Sequence, residues 1–519
     1  MRCCLRPPII VRGRRGRAHR PDPGGPLSPS LLPAVYAASS HTALRFPDRS
    51  LSYEQLAAAA GRIATQIDGA SRVAVWATPS LHASVGTVAA LLAGVPAVPV
   101  NPRSGERELA HVVADSVPAA VLAAPDDELP EPLAGLPRVD VHLDDAEPDD
   151  GGAAWSLPYE PPAESAALVV YTSGTTGPPK GVVLSRRAIA SSLDALADAW
   201  AWSDADVLVH ALPLFHVHGL ILGVLGPLRL GGTLRHLGAF TTEGVAEALR
   251  EGGTMLFGVP TMYHRLAESC AEDRELASAL AGARLLVSGS APLPLTDHRR
   301  IAEATGRGVV ERYGMTETLM NTSVRADGEP RPGTVGPPLR DVDLRLVDEA
   351  GERLPEDPEL VGEVQVRGPN LFTEYLNRPD ATAGAFDGGW FRTGDMATRD
   401  ADGSVRLVGR KATDLIKSGG YKIGAGEIEN VLLSHEGVAE AAVTGVPDAD
   451  LGERIVAWIV PADAEAPPAG TELVALVAEQ LAPHKRPREV HFLSALPRND
   501  MGKVLKRELA KGEEEVSAG

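Results

Sequence analysis

Between about residues 30 and 410 the chain alternates short apolar runs with longer, Ala-rich stretches. The stretch 53–67 reads as a helix. The runs 73–76, 97–100, 167–171, 207–209 and 284–287 are rich in Val, Leu and aromatic residues and read as strands. Strands that alternate with helices predict an α/β fold: mixed sheets sandwiched by helices, forming a large N-terminal domain over residues 31–410. Pro99 argues that the second run is an edge strand or a strand end. Residues 125–165 are rich in Pro, Asp, Glu and Gly and predict an irregular surface connection. After Arg410 the scale changes to a small α+β pattern over 411–519. It has helices near 427–434 and 471–481 and strands near 441–446, 456–460 and 490–493. No internal repeat is visible.

The first thirty residues stand apart. Residues 1–20 hold seven arginines and no acid, and 21–30 are Pro-, Gly- and Ser-rich, so 1–30 read as a disordered leader. The chain as a whole is acidic, with a net charge of −19 over 519 residues. That excludes a general coat for nucleic acid, which needs a basic surface. No apolar run approaches the ~20 residues of a spanning helix. Cys3, Cys4 and Cys270 provide neither a disulfide framework nor zinc spacing, which points to a reducing cytoplasm. The lysines carry information of another kind. There are eight, and seven lie after residue 410, leaving Lys180 as a lone ammonium in an Arg-biased region.

Lys180 closes the strongest chemical signal, the run VVYTSGTTGPPKG from Val169 to Gly181. An apolar strand enters a loop with three glycines, four hydroxyl residues and one lysine. Thr172, Ser173, Gly174, Thr175, Thr176, Gly177 and Lys180 together suit a phosphate: close-approaching N–H groups, hydroxyl donors and a point charge. No Ser or Thr follows the lysine, so this is not a Walker A loop.

This loop resembles the signature of the adenylate-forming superfamily, the acyl-CoA synthetases and their relatives. Further motifs follow in that family's order. They are Leu214-Phe215-His216-Val217-His218-Gly219, Ser288-Gly289-Ser290-Ala291-Pro292-Leu293 and Glu311-Arg312-Tyr313-Gly314-Met315-Thr316-Glu317. Then come Trp390-Phe391-Arg392-Thr393-Gly394-Asp395, Gly409-Arg410, and a last motif, 497–503, ending in Lys503. The resemblance spans about residues 35–510 and is nearest to malonyl-CoA/methylmalonyl-CoA synthetases. It implies an ATP-dependent acid–thiol ligase that uses Mg²⁺ and coenzyme A, with a mobile C-terminal domain.

By that resemblance, Asp395 and Arg410 serve the ribose. Tyr313 and the Ser290-Ala291-Pro292 turn, with Glu311, Arg312, Gly314 and Met315, serve the adenine nucleotide. Thr316 serves the α-phosphate, Glu317 binds Mg²⁺, and Lys503 neutralises charge during adenylation. His216 lines the acyl–pantetheine boundary, and the stretch Lys417-Ser418-Gly419-Gly420 arrives with coenzyme A. Lys411 or Asp414 is the hinge. A malonate-type acid needs a buried cation for its second carboxylate. Arg265, one turn after Thr261, is the first candidate and Arg284 the second, with Met315 limiting the room for an α-substituent. Each arginine can equally serve a structural salt bridge. Rival readings are a ligase for another short acid, a carrier-charging adenylation domain and a non-catalytic module.

Overall fold

The structure is a computed structural model that describes residues 30–144, 157–172, 178–328, 331–411, 414–498, 504–506 and 508–510. Two large sheets form the body of the N-terminal domain. One runs Leu319–Ser323, Val309–Met315, Leu285–Ser288, Met255–Gly258, Val207–His210, Thr233–His236, Thr42–Arg45, Ser50–Ser52. Its six inner strands are mutually parallel and its two outermost pair antiparallel. The second runs Glu374–Tyr375, Lys180–Ser185, Ala166–Thr172, Ala97–Val100, Val73–Trp76, Ala120–Ala123, Arg138–Asp140. A smaller antiparallel sheet holds Asp343–Val347, Gly362–Arg367, Trp390–Arg399, Phe386–Asp387 and Val405–Arg410.

Helices fill the space beside the sheets because their sequences supply both caps and apolar faces. The helix Tyr53–Gln66 starts at Ser52, whose hydroxyl accepts from the Gln55 N–H while the Gln55 amide oxygen accepts from the Ser52 N–H. Such a reciprocal cap is worth about 1 kcal/mol. Tyr53 is buried at its first position and donates to the Gly232 carbonyl at 2.7 Å, tying the helix to the first large sheet.

The small domain follows Arg410. Its strands Tyr421–Gly424, Leu415–Ser418, Gly452–Pro461 and Val438–Asp448 are antiparallel, and Glu489–Phe492 adds in parallel. Helices Ala425–Leu432 and Gly470–Gln480 complete a core of its own around Ile416, Ile428, Val443, Ile455 and Leu473.

Three expectations change. Pro99 sits in a strand paired on both sides, not at an edge. Its ladder to Ala166–Thr172 is confined to Ala97↔Leu168, so two residues on the missing N–H removes no bond there. Within 125–165, the described residues include a one-turn helix, Glu131–Ala134, and an edge strand, Arg138–Asp140. Ser30, assigned above to the leader, belongs to the fold. Its hydroxyl donates to Glu160 Oε2 at 2.8 Å, the Leu31 N–H donates to Glu160 Oε1 at 3.0 Å, and Arg229 donates to both of their carbonyls. Residues 1–29 lie outside the described residues.

Candidate active site

The phosphate-type loop joins two strands of one hairpin, with Thr172 and Lys180 as register partners at its mouth. Ser173, Gly174, Thr175, Thr176 and Gly177 lie outside the described residues. Lys180 places its ammonium 4.7 Å from the ring centroid of Tyr375. The Tyr375 hydroxyl in turn donates to Glu317 Oε1 at 2.9 Å. Burial and the adjacent Glu317 carboxylate raise the Tyr375 phenol, so it stays protonated as a donor. The lysine expected at phosphate and the carboxylate expected at Mg²⁺ thus meet across one aromatic ring.

Tyr375 was not anticipated. It sits in a two-residue strand beside Lys180–Ser185, too short for any periodicity to mark.

A second group gathers around Asp395. Its backbone is the register partner of Arg410 across antiparallel strands, and Arg410 Nε lies 2.8 Å from Asp395 Oδ1. The Tyr313 hydroxyl donates to Asp395 Oδ2 at 2.6 Å. Burial, then the Asp395 charge, pushes the Tyr313 phenol well above its ordinary range. Thr393 accepts from the Asp395 N–H with its hydroxyl and from Arg410 with its carbonyl. The strand bends sharply here. Gly409 has φ +142°, and a Cβ on it would sit 2.4 Å from the Asp414 Cβ, so no side chain fits. The carboxylate is therefore held before any sugar arrives.

Val309–Met315 carries Tyr313 into the Thr316–Glu317 turn. Gly314 has no room for a side chain: a Cβ would lie 1.8 Å from the Leu319 carbonyl oxygen. Glu317 is buried, and one carboxylate with phosphate oxygens suits Mg²⁺, which keeps several waters. Among the described residues no cluster of three or more His, Cys, Asp or Glu could hold a metal by itself. Ser290, Ala291 and Pro292 form an exposed turn, with Ser290 at φ +76°.

Glu311 departs from its expected place at the nucleotide. Both of its oxygens are used inside the protein, accepting from the Leu293 N–H at 3.0 Å and bonding His298 Nε2 at 2.9 Å. It positions the Ser290–Pro292 turn. Met315 is half-buried against the core.

The two histidines expected near the acyl group are apolar in setting. His216 presses on the Phe215 ring at 4.3 Å, and burial brings its pKa down to about 4. His218 is buried with neither ring nitrogen partnered, and burial and then the Arg312 charge hold it well below the ordinary range. Both are neutral near pH 7. Arg265 is exposed on the helix Pro260–Ser269, as is Thr261. Arg284 is not in the site. It lies just before Leu285, at the opposite end of that strand from Ser288, and grips Asp206 through Nε at 2.9 Å and Nη2 at 2.8 Å.

The stretch Lys417-Ser418-Gly419-Gly420 makes a tight hairpin in the small domain. Lys417 contacts Glu349 and Glu453, so the hairpin is not joined to the Asp395 group. Lys411 pairs with Glu363 at 2.7 Å, while Asp414 accepts from the Arg410 N–H and from Lys506. Lys503 lies outside the described residues.

The chain belongs to the AMP-binding enzyme family. Residues 34–376 match the family described as AMP-binding enzyme, and residues 427–503 match the AMP-binding enzyme C-terminal domain. The malonate–CoA ligase of Arabidopsis thaliana is 36% identical over 85% of this chain and 78% of its own length. The feruloyl-CoA synthase of an Amycolatopsis species is also 36% identical, over 91% of this chain and 95% of its own. Among solved structures, a malonyl-CoA ligase ternary product complex with methylmalonyl-CoA and AMP is 66% identical. It covers 90% of this chain and 100% of that chain, with a TM-score of 0.70. ATP-bound MatB from Rhodopseudomonas palustris is 34% identical over 94% of this chain and 99% of that one, with a TM-score of 0.85.

Proposed function

We propose that the chain is an AMP-forming acid–CoA ligase that makes malonyl-CoA or methylmalonyl-CoA from the free diacid, ATP and coenzyme A. The observation that carries the ligase reading is the pair of preorganised groups, Asp395–Tyr313–Arg410 and Lys180–Tyr375–Glu317, on either side of one turn. Relatives equally similar at 36% differ in acid, so that level of identity does not separate substrates. The 66% identical malonyl-CoA ligase supports the malonate-type acid.

The reaction divides in two. In the first half, an acyl carboxylate oxygen attacks the α-phosphorus, and the bond to the bridging oxygen of pyrophosphate breaks. Asp395 holds the ribose hydroxyls, Lys180 and the loop hydroxyls hold phosphate oxygens, and Thr316 donates near the α-phosphate. Glu317 would hold Mg²⁺, which when bound would offset phosphate charge. Lys503 adds a positive charge where negative charge grows, which is commonly a large catalytic contribution. In the second half, the coenzyme A sulfur attacks the acyl carbon, its proton leaves, and the carbon–oxygen bond to AMP breaks. Neutral His216 borders the acyl–pantetheine boundary without adding charge.

The small domain serves both halves by turning, with the boundary after Arg410 and Lys411 or Asp414 as hinge. The ATP-bound relative superposes better than the product complex despite half the identity, which supports two arrangements of the same parts. Cysteine usage supports a cytoplasmic setting. Among the described residues no helix is long and apolar enough to cross a membrane. The test is AMP release with coenzyme A across a panel of mono- and dicarboxylic acids. Malonate or methylmalonate must lead; a monocarboxylic acid in first place overturns the substrate.

A further inference from the structure

Leu319 follows the Thr316–Glu317–Thr318 turn, is fully buried and has φ +51°. A positive φ is uncommon for a residue with a side chain and persists only where the surroundings enforce it. A bracket spans this residue. The buried Asn370 amide donates from Nδ2 to the Thr318 carbonyl at 2.6 Å and to the Met320 carbonyl at 3.2 Å, one on each side of Leu319. A longer third bond reaches Asn321 Oδ1 at 3.3 Å. Backbone carbonyls only accept, so they fix which end of the amide is the nitrogen. Asn370 Oδ1 has no partner among the described residues, so the side chain acts through Nδ2. Gly368 leaves it room: a Cβ there would lie 2.5 Å from Asn370 Oδ1.

The same short segment meets the turn twice more. The Phe372 N–H donates to the Glu317 carbonyl at 2.7 Å, and the Tyr375 hydroxyl donates to the Glu317 carboxylate. Its other edge is fastened to the strand that leaves the phosphate-type loop. The Thr373 N–H donates to the Val183 carbonyl and the Leu376 N–H to the Gly181 carbonyl, both at 2.8 Å, and Tyr375 is the register partner of Val182. Lys180–Ser185 belongs to one large sheet and Leu319–Ser323 to the other. Residues 370–376 are therefore a splint between the two sheets. It ties the strand that begins with Lys180 to the turn that carries Glu317.

We propose that Asn370 is a positioning residue for the first half-reaction: by bracketing Leu319 it sets the Thr316–Glu317 turn at a fixed place relative to Lys180. This rests on the ligase reading above. Every bond of Asn370 goes to a protein group, so it acts through the turn. Without the bracket Leu319 relaxes towards negative φ, and the turn rotates with it. The consequence is selective. The bonds of the Asp395 group do not involve Asn370, so nucleotide binding persists. Phosphate chemistry, which needs Glu317 and Lys180 in register, is lost, because a misplacement of about 1 Å costs about 10²-fold in rate.

The experiment compares wild type with Asn370→Leu, which keeps the size and removes the donor, and Asn370→Ser, which can still donate to one carbonyl. The first readout is amide hydrogen exchange on protein free of nucleotide and metal. Exchange across 315–321 should quicken about tenfold in Asn370→Leu and less in Asn370→Ser, while the strand 207–210 stays as in wild type. The second readout is pyrophosphate release with malonate, whose kcat should fall about 10- to 100-fold in Asn370→Leu. The Mg²⁺ concentration for half-maximal release should rise. ATP binding in the presence of a chelator, and thioester formation from a supplied acyl-adenylate, should stay within about threefold of wild type. Asn370→Ser should recover part of the loss, and it also serves if the Leu variant does not fold. Unchanged exchange, unchanged pyrophosphate release, or equal loss in both half-reactions overturns the assignment while an active wild type leaves the ligase reading standing. Wild type that releases no pyrophosphate with any acid overturns the ligase reading and the role of Asn370 with it.

Discussion

Replacing Asp395 by Asn keeps the shape of the ribose site and removes its charge. Asp395 Oδ1 pairs with Arg410 at 2.8 Å and Oδ2 accepts from Tyr313 at 2.6 Å. Removing one partner of a fully buried ion pair costs about 3–5 kcal/mol. The Arg410 side chain is 32% exposed and keeps its bond to the Thr393 carbonyl, so water and that carbonyl recover part of the loss. A fall of about 1–3 kcal/mol in unfolding free energy is expected after that discount. Nucleotide binding should lose more. Hydrogen bonds to a charged group are worth about 1.5–3 kcal/mol each, so two ribose bonds correspond to roughly two to four powers of ten. The assay is a double-mutant cycle: ATP against 2′-deoxy-ATP, in wild type and Asp395→Asn, by calorimetric titration. Wild type should prefer ATP by about 10- to 150-fold, and the variant by no more than a few fold. If the variant keeps the wild-type preference, Asp395 does not touch the ribose and the site assignment fails, whatever happens to stability.

Lys503→Ala should abolish adenylate formation and spare thioester formation from a supplied acyl-adenylate; equal loss in both half-reactions would refute the two-arrangement reading. Deleting residues 1–28 should leave turnover and melting temperature unchanged, whereas starting the chain at Leu32 should lower stability, because Glu160 and Arg229 lose their contacts to Ser30 and Leu31. His236 is buried, and burial brings its pKa from 6.5 to about 4. The unfolded chain therefore binds its proton first as pH falls, so this stabilisation is full above pH ~6.5 and lost towards pH 4. The shift corresponds to about 3 kcal/mol at ~1.4 kcal/mol per pH unit. His236→Gln should flatten the dependence of melting temperature on pH across that window, and an unchanged slope in equilibrium unfolding would disprove it.

What could be read in advance follows the range of the forces involved. Apolar runs marked the strands through the parallel sheet, because burial on both faces acts on consecutive residues. The loop before Lys180 was visible because phosphate chemistry needs several special residues in one short stretch. Tyr375 was not, because its place depends on a two-residue strand pairing with Lys180–Ser185 from far along the chain. Arg284 was misplaced for a similar reason: its carboxylate, Asp206, lies on a different strand connection that no local pattern reveals. Pro99 misled because its cost depends on which neighbour a residue's N–H faces, and the ladder on that side is confined to Ala97↔Leu168.

Arg410 touches two mechanical parts at once. Its side chain holds Asp395, proposed above to take the sugar, and its backbone N–H is held by Asp414, which Lys506 also grips. In engineering terms it is a clutch plate between a sensor and a rotor. In the proposed reading, torque on the small domain reaches the Asp395 carboxylate through Arg410, and sugar occupancy stiffens the joint through the same residue. Domain rotation and nucleotide exchange should therefore share one timescale, set at this strand end and not by the bulk of either domain.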